Sequence, residues 1–75
     1  MTTYVLAFAG VGPFCLVEHH PGIRVSTWET AVCGARVVVC DRAGLGVLFQ
    51  WEAGDPVHEA CERTVAARDP HRRGP

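Results

Sequence analysis

A chain of 75 residues allows one domain. A domain of this size buries only roughly 60% of the surface its unfolded chain exposes, so a staple or a partner is expected to help hold it. Hydrophobic residues make up 48% and charged residues 20%, which excludes disorder. The formal net charge is −1, with seven basic residues (all Arg) against eight acidic ones. That balance argues against broad electrostatic binding of nucleic acid, which uses a basic face. The lack of Lys and Asn fits a GC-rich coding sequence, bacterial or phage.

The first expected element is a strand over residues 2–9, where Tyr4, Leu6 and Phe8 recur at the period of two that strands require. Residues 4–17 are nearly uncharged, but they fall short of the ~20 residues of a spanning helix, and Gly10, Gly12 and Pro13 interrupt them. No basic segment precedes Tyr4. Neither a membrane span nor export is therefore expected, and the expected compartment is the cytoplasm.

Phe14 to Glu18 reads as a second strand. His20-Pro21-Gly22-Ile23 has the chemistry of a turn, since proline presets φ at its second position and glycine accepts a positive φ at its third. Residues 23–32 read as a third strand. With Pro21-Gly22 as a two-residue connection, Cys15 would lie opposite Trp28 and Val17 opposite Ser26. Gly34 marks a bend or bulge. Ala35 to Cys40 is the expected fourth strand and Leu45 to Glu52 the fifth, joined by a turn at Asp41-Arg42-Ala43-Gly44. That register sets Val39 against Val47, Val37 against Phe49 and Ala35 against Trp51 on one face, with Val38 meeting Leu48 on the other. Such a ribbon is apolar on both faces and needs cover on both.

The last element is a helix. Asp55 is a strong N-cap residue and Pro56 suits the first helical position. Val57, Ala60, Cys61, Thr64 and Val65 form one apolar stripe. Glu59 and Arg63, four apart, are placed to pair. Pro70 ends the helix near Arg68, and the tail from His71 carries no apolar anchor and reads as frayed.

The residues that could carry chemistry are the cysteines and histidines. Cys15, Cys33, Cys40 and Cys61 are irregularly spaced and no C-x-x-C occurs. Zinc fingers and ribbons use two close ligand pairs, and only His58-x-x-Cys61 has such spacing. The metal site this suggests combines His58 and Cys61 with two other cysteines, Cys33 and Cys40 being the favoured pair; His19 and His20 are further candidates. Against it stands the simpler reading of the cysteines as small core hydrophobes, with Cys61 on the buried stripe and Cys15 and Cys40 in apolar strands. A Cys33–Cys40 disulfide is excluded if the strand between them is extended, because seven residues span roughly 23 Å. His19-His20 reads as a solvated turn end. No catalytic motif is present, and a nucleophile pair of Cys61 and His58 would lack a cleft, so no enzyme is expected. Trp28, Trp51 and Phe49 are the candidate partner-binding residues. Arg68, Arg72 and Arg73 make a solubilising tail, diluted by nearby acids.

The expected fold is α+β: an antiparallel meander of four or five strands, or a small closed barrel, with one C-terminal helix. It forms a single domain over 1–69 with a flexible tail at 70–75. The expected function is a non-enzymatic binding or accessory module acting through protein–protein contact, with a protein partner or as a homodimer and without a cofactor. The alternative is a small zinc-binding domain associated with nucleic acid.

Overall fold

The most apolar segment of the chain takes an inner position in the sheet, where both of its edges are hydrogen-bonded. The computed structural model describes residues 3–10, 12–52 and 55–68. In it β1 (Tyr4–Phe8), β2 (Cys15–Glu18), β3 (Trp28–Thr30) and β4 (Arg36–Val39) form one antiparallel sheet in the order β2-β1-β4-β3. A single α-helix, α1 (Glu59–Arg68), follows. The architecture is the expected α+β one, and the sheet curls into a half-barrel. The residues expected to form a frayed tail, with Pro70 as the helix stop, lie outside the described residues, as do Arg72 and Arg73. No helix among the described residues is long and apolar enough to cross a membrane.

Inner strands must be apolar on both faces, and β1 is: Tyr4, Val5, Leu6 and Ala7 are all buried. Register assigns the faces. Val5 and Ala7 share one with Val17, Cys15 and Val39, while Leu6 and Phe8 share the other with Leu16 and Val38. Val37 and Val39 of β4 are buried as well. Each fully buried side chain of this size contributes roughly 1.5–3 kcal/mol.

The strand order departs from a meander at two places. A turn forms at His20–Ile23, with the Ile23 N–H donating to the His20 carbonyl at 3.0 Å, but Gly22 lacks the positive φ expected there. It does not make a hairpin. A second bend follows, in which Ser26 has φ 60° and Thr27 donates its hydroxyl to the Arg24 carbonyl. Together they carry the chain from β2 to the far edge of β4, where Ser26 donates to the Val39 carbonyl. The expected pairing of Cys15 with Trp28 and Val17 with Ser26 is thus replaced by pairing of both strands with inner neighbours.

The fifth strand is also replaced. Residues 45–52 form isolated bridges, Leu48 to Asp41 and Gln50 to Val5. Asp41 accepts the N–H groups of Gly46 (2.7 Å) and Val47 (3.3 Å), which closes a wider loop than the three-residue turn the sequence suggests. The wider loop swings the chain past β4, so residues 49–51 run along β1: Leu6 donates to the Phe49 carbonyl and Trp51 to that of Tyr4. None of the expected pairs of residues 35–39 with 47–51 forms. One side of the returning segment is wet, with Leu45, Val47 and Phe49 exposed at 75%, 48% and 40%.

The β3–β4 turn is the one that shapes the site. Gly34 has φ +93°, the Ala31 N–H donates to Ala35, and the Gly34 N–H donates to Ala31. The turn reaches across the curl to the opposite edge, where Val32 donates to the Leu16 carbonyl of β2 at 2.8 Å. One backbone bond thus ties two edge elements across a curl that the sequence could not report. Leu16, fully buried at the inner edge of β2, reports on this packing. Leu16→Ala is expected to cost about 2–5 kcal/mol, and Leu45→Ala less than about 0.5 kcal/mol. Urea midpoints of the two variants against the parent check both.

Candidate metal centre

The helix begins later than its cap chemistry suggests. Asp55 turns back, its carboxylate accepting the Glu52 N–H at 3.1 Å while its own N–H donates to the Glu52 carbonyl. The first helical bond runs from Glu62 to the carbonyl of His58 (3.0 Å), so His58 is the cap residue and Asp55-Pro56 lie in the preceding turn. The apolar stripe stands: Cys61 and Val65 are buried, and Val57, Ala60 and Thr64 are half-buried. Glu59 and Arg63 approach to 3.6 Å as expected, although both are exposed.

Two bonds pin this helix start to β2. The His58 N–H donates to the Phe14 carbonyl at 2.7 Å, and the Leu16 N–H donates to the Cys61 sulfur at 3.4 Å. The backbone on either side of Cys15 is therefore gripped by the two residues of the His58-x-x-Cys61 pair. The β3–β4 turn delivers Cys33 to the same place. The result is a group of four side chains, Cys15, Cys33, His58 and Cys61, whose ligand atoms all lie within 4.8 Å of one another. Cys15 and Cys61 are buried, and Cys33 and His58 are half-buried. All four cysteines of the chain are free thiols. The Nδ1 atom of His58 is buried without a hydrogen-bond partner among the described residues. A buried ring nitrogen left unbonded is costly unless something occupies it.

The donor set fits a single Zn²⁺. A tetrahedron with Zn–S near 2.3 Å and Zn–N near 2.0–2.1 Å separates its ligand atoms by about 3.5–3.8 Å. From the observed spread of up to 4.8 Å this needs a contraction of at most about 1.0–1.3 Å. Three soft sulfurs and one imidazole are a zinc set, whereas calcium and magnesium take oxygen.

The thiols shape one another's acidity. Burial pushes Cys15 up to about 12, helped by the charges of Cys61 and Cys33. Burial also pushes Cys61 and Cys40 up. Burial opposes ionisation of Cys33 too, but the Ala35 N–H and the facing Cys61, His58 and Cys15 side chains outweigh it and bring Cys33 down to about 7. The first proton therefore leaves from Cys33, and the charge held there keeps its neighbours protonated. In the reduced, metal-free protein Cys33 adds stability as pH rises from about 7 to the ordinary value of 9.0. Above 9.0 Cys15 removes stability as pH climbs towards 12. The thiol contribution should therefore peak near pH 9. Alkylation profiles are expected to show Cys33 reacting first, ahead of the buried Cys15 and Cys61.

The structure brings together His58, Cys61 and Cys33 of the candidate ligands and adds Cys15, which sequence reasoning set among core cysteines. Cys40, half-buried beyond the end of β4, is not part of the group. His20 pairs instead with Glu29 at 3.4 Å, and its Nδ1 accepts the Gly22 N–H. A turn glycine directly after Cys33 was the one local signal for a ligand-bearing loop. Nothing local marks Cys15.

The three aromatic candidates separate. Trp51 belongs to the core side, edge-on to Tyr4 at 6.4 Å. Trp28 is 61% exposed with Arg36 over its ring, and Phe49 is exposed with Arg42 over its own. Comparison of the chain with protein families, with characterised proteins and with solved structures gives no match.

Proposed function

We propose that this protein is a small zinc-stapled domain without catalytic activity, in which one Zn²⁺ held by Cys15, Cys33, His58 and Cys61 bolts α1 to the curled sheet. The observation that carries this reading is the convergence of those four donors within 4.8 Å. The buried His58 Nδ1, without a hydrogen-bond partner among the described residues, is consistent with it. Two ligands come from the sheet (Cys15 on β2, Cys33 on the β3–β4 turn) and two from the helix start. Four protein ligands complete the coordination of zinc and leave no position for a reactive water, which is the pattern of a structural ion. Small domains with too little core are commonly held by such an ion. Elemental analysis of untagged protein purified under reducing conditions is expected to find one zinc per chain. Zinc well below one equivalent after refolding with excess metal would end the reading.

A companion reading, action through protein–protein contact, is favoured by the exposed apolar surface. Phe8, Val38 and Trp28 lie in register across β1, β4 and β3. Phe14 extends the row, its ring 5.9 Å from that of Phe8. Phe8, Phe14 and Trp28 are 42%, 40% and 61% exposed. Self-association is the simplest form of such contact. Light scattering is then expected to give a mass above 8.1 kDa, and a clean monomer removes that form.

A further inference from the structure

Resting on the zinc reading, we infer that the metal centre is a thiol-oxidation switch in which hydrogen peroxide joins Cys33 to Cys15, expels the ion and frees α1 from the sheet. The three sulfurs lie within 4.8 Å of one another, but they differ in access. Cys61 is 0% and Cys15 4% exposed, whereas Cys33 is half-buried on a turn. Beside it Gly34, at φ +93°, has no atom within 4 Å of where a Cβ would stand, so the turn is open on that side. Cys33 is the sulfur an oxidant reaches first, and it sits beside two others able to resolve it, the arrangement of a redox-sensing thiol.

Backbone placement selects Cys15 as the resolving partner. The Val32 N–H donates to the Leu16 carbonyl, so the residue before Cys33 is bonded to the residue after Cys15. The Cys33 and Cys15 sulfurs already lie within 4.8 Å of each other, so a short approach of the turn to β2 closes the bond. Cys61 lies on a third element and holds the Leu16 N–H.

The chemistry balances without a further reactant. The Cys33 thiolate attacks one peroxide oxygen, the O–O bond breaks, and hydroxide leaves, giving a sulfenic acid. The Cys15 thiolate attacks the Cys33 sulfur, the S–S bond forms, the S–O bond breaks, and a second hydroxide leaves. The two thiolates supply two electrons, and peroxide ends as two waters after protonation. Zinc then keeps only His58 and Cys61, too few to hold it, and Cys61 takes up a proton. Because both surviving ligands are on the helix side, the ion no longer links α1 to the sheet, while the disulfide still ties β2 to the β3–β4 turn.

The test uses the full zinc-loaded chain carrying Cys40→Ser, which removes the one cysteine outside the group. Metal content is measured first, and one equivalent of hydrogen peroxide is then added. The expected result is one zinc released per disulfide formed, a Cys15–Cys33 linkage by peptide mapping, faster hydrogen exchange across 59–68, and recovery of zinc binding after dithiothreitol. If zinc loads but stays bound under peroxide, or the linkage maps to Cys61, or Cys33 passes to sulfinic acid, the switch is wrong and the zinc reading stands. If zinc never loads, both fall.

Discussion

Chelation of the metal is expected to melt α1 away from the sheet and to leave a domain close to the limit of folding. Structural zinc contributes an apparent ~10–16 kcal/mol of binding at neutral pH. A domain of this length has a total stability of only about 4–11 kcal/mol, at roughly 0.05–0.15 kcal/mol per residue. On the zinc reading, the metal's contribution is thus comparable to everything else combined. What remains at the helix without it is modest: the buried Cys61 and Val65, the two bonds from His58 and to Cys61, and one exposed ion pair. Thermal melts with and without excess chelator should differ by tens of degrees, and helical circular dichroism should fall. Acid should mimic the chelator, because zinc needs its thiol ligands deprotonated and protons compete for them as pH drops. An unchanged melting curve in chelator would show that the four donors hold nothing.

Loss of Cys61 is expected to be far more damaging than loss of Cys40, although both are non-surface cysteines in apolar surroundings. Cys61→Ala removes one of the four proposed ligands and also empties a fully buried site that receives the Leu16 N–H. Losing a mere supporting partner of a zinc ligand costs ~10–100-fold in metal affinity, so loss of the ligand itself should exceed that. Cys33→Ser separates the two effects, since Cys33 is half-buried and contributes less packing. It should lose zinc with little change in the metal-free fold. Cys40→Ala should keep one zinc at parental affinity. Competition titration against a chromophoric chelator reads all three. Equal losses for Cys40→Ala and Cys61→Ala would return the cysteines to the role of packing residues.

Much of the local structure was legible because it depends on near neighbours. Alternation over Tyr4 to Phe8, a turn at Pro21-Gly22, the glycine bend at position 34 and the helical stripe of Ala60, Cys61, Thr64 and Val65 each arise from φ/ψ preference or periodicity, and each is present. Where Asp55 was read as a cap, the signal was real but its carboxylate found a nearer donor in Glu52. Such competition between two local bonds is decided by the turn around it.

Strand partners and ligand partners belong to a different level. An apolar strand states that it needs neighbours without naming them, and β4 was free in principle to pair with 45–52. It pairs with β1 and β3 because a wider loop at Asp41 sends the returning chain along β1, and because that arrangement places the two most apolar strands inside. The metal centre has the same origin. His58 and Cys61 were visible as a pair, since one helical turn separates them. Cys15 joined them where the helix start is pinned to β2, and Cys33 only when the curl brought the β3–β4 turn against β2, through contacts between residues far apart in the chain. The sequence alone determined β1, β2, β4 and the body of the helix, because those choices are made within a few residues, whereas the fate of 45–52 was not among them. Tertiary structure alone decided which cysteines meet, because closing loops between positions 15, 33 and 61 costs entropy that only the assembled core repays.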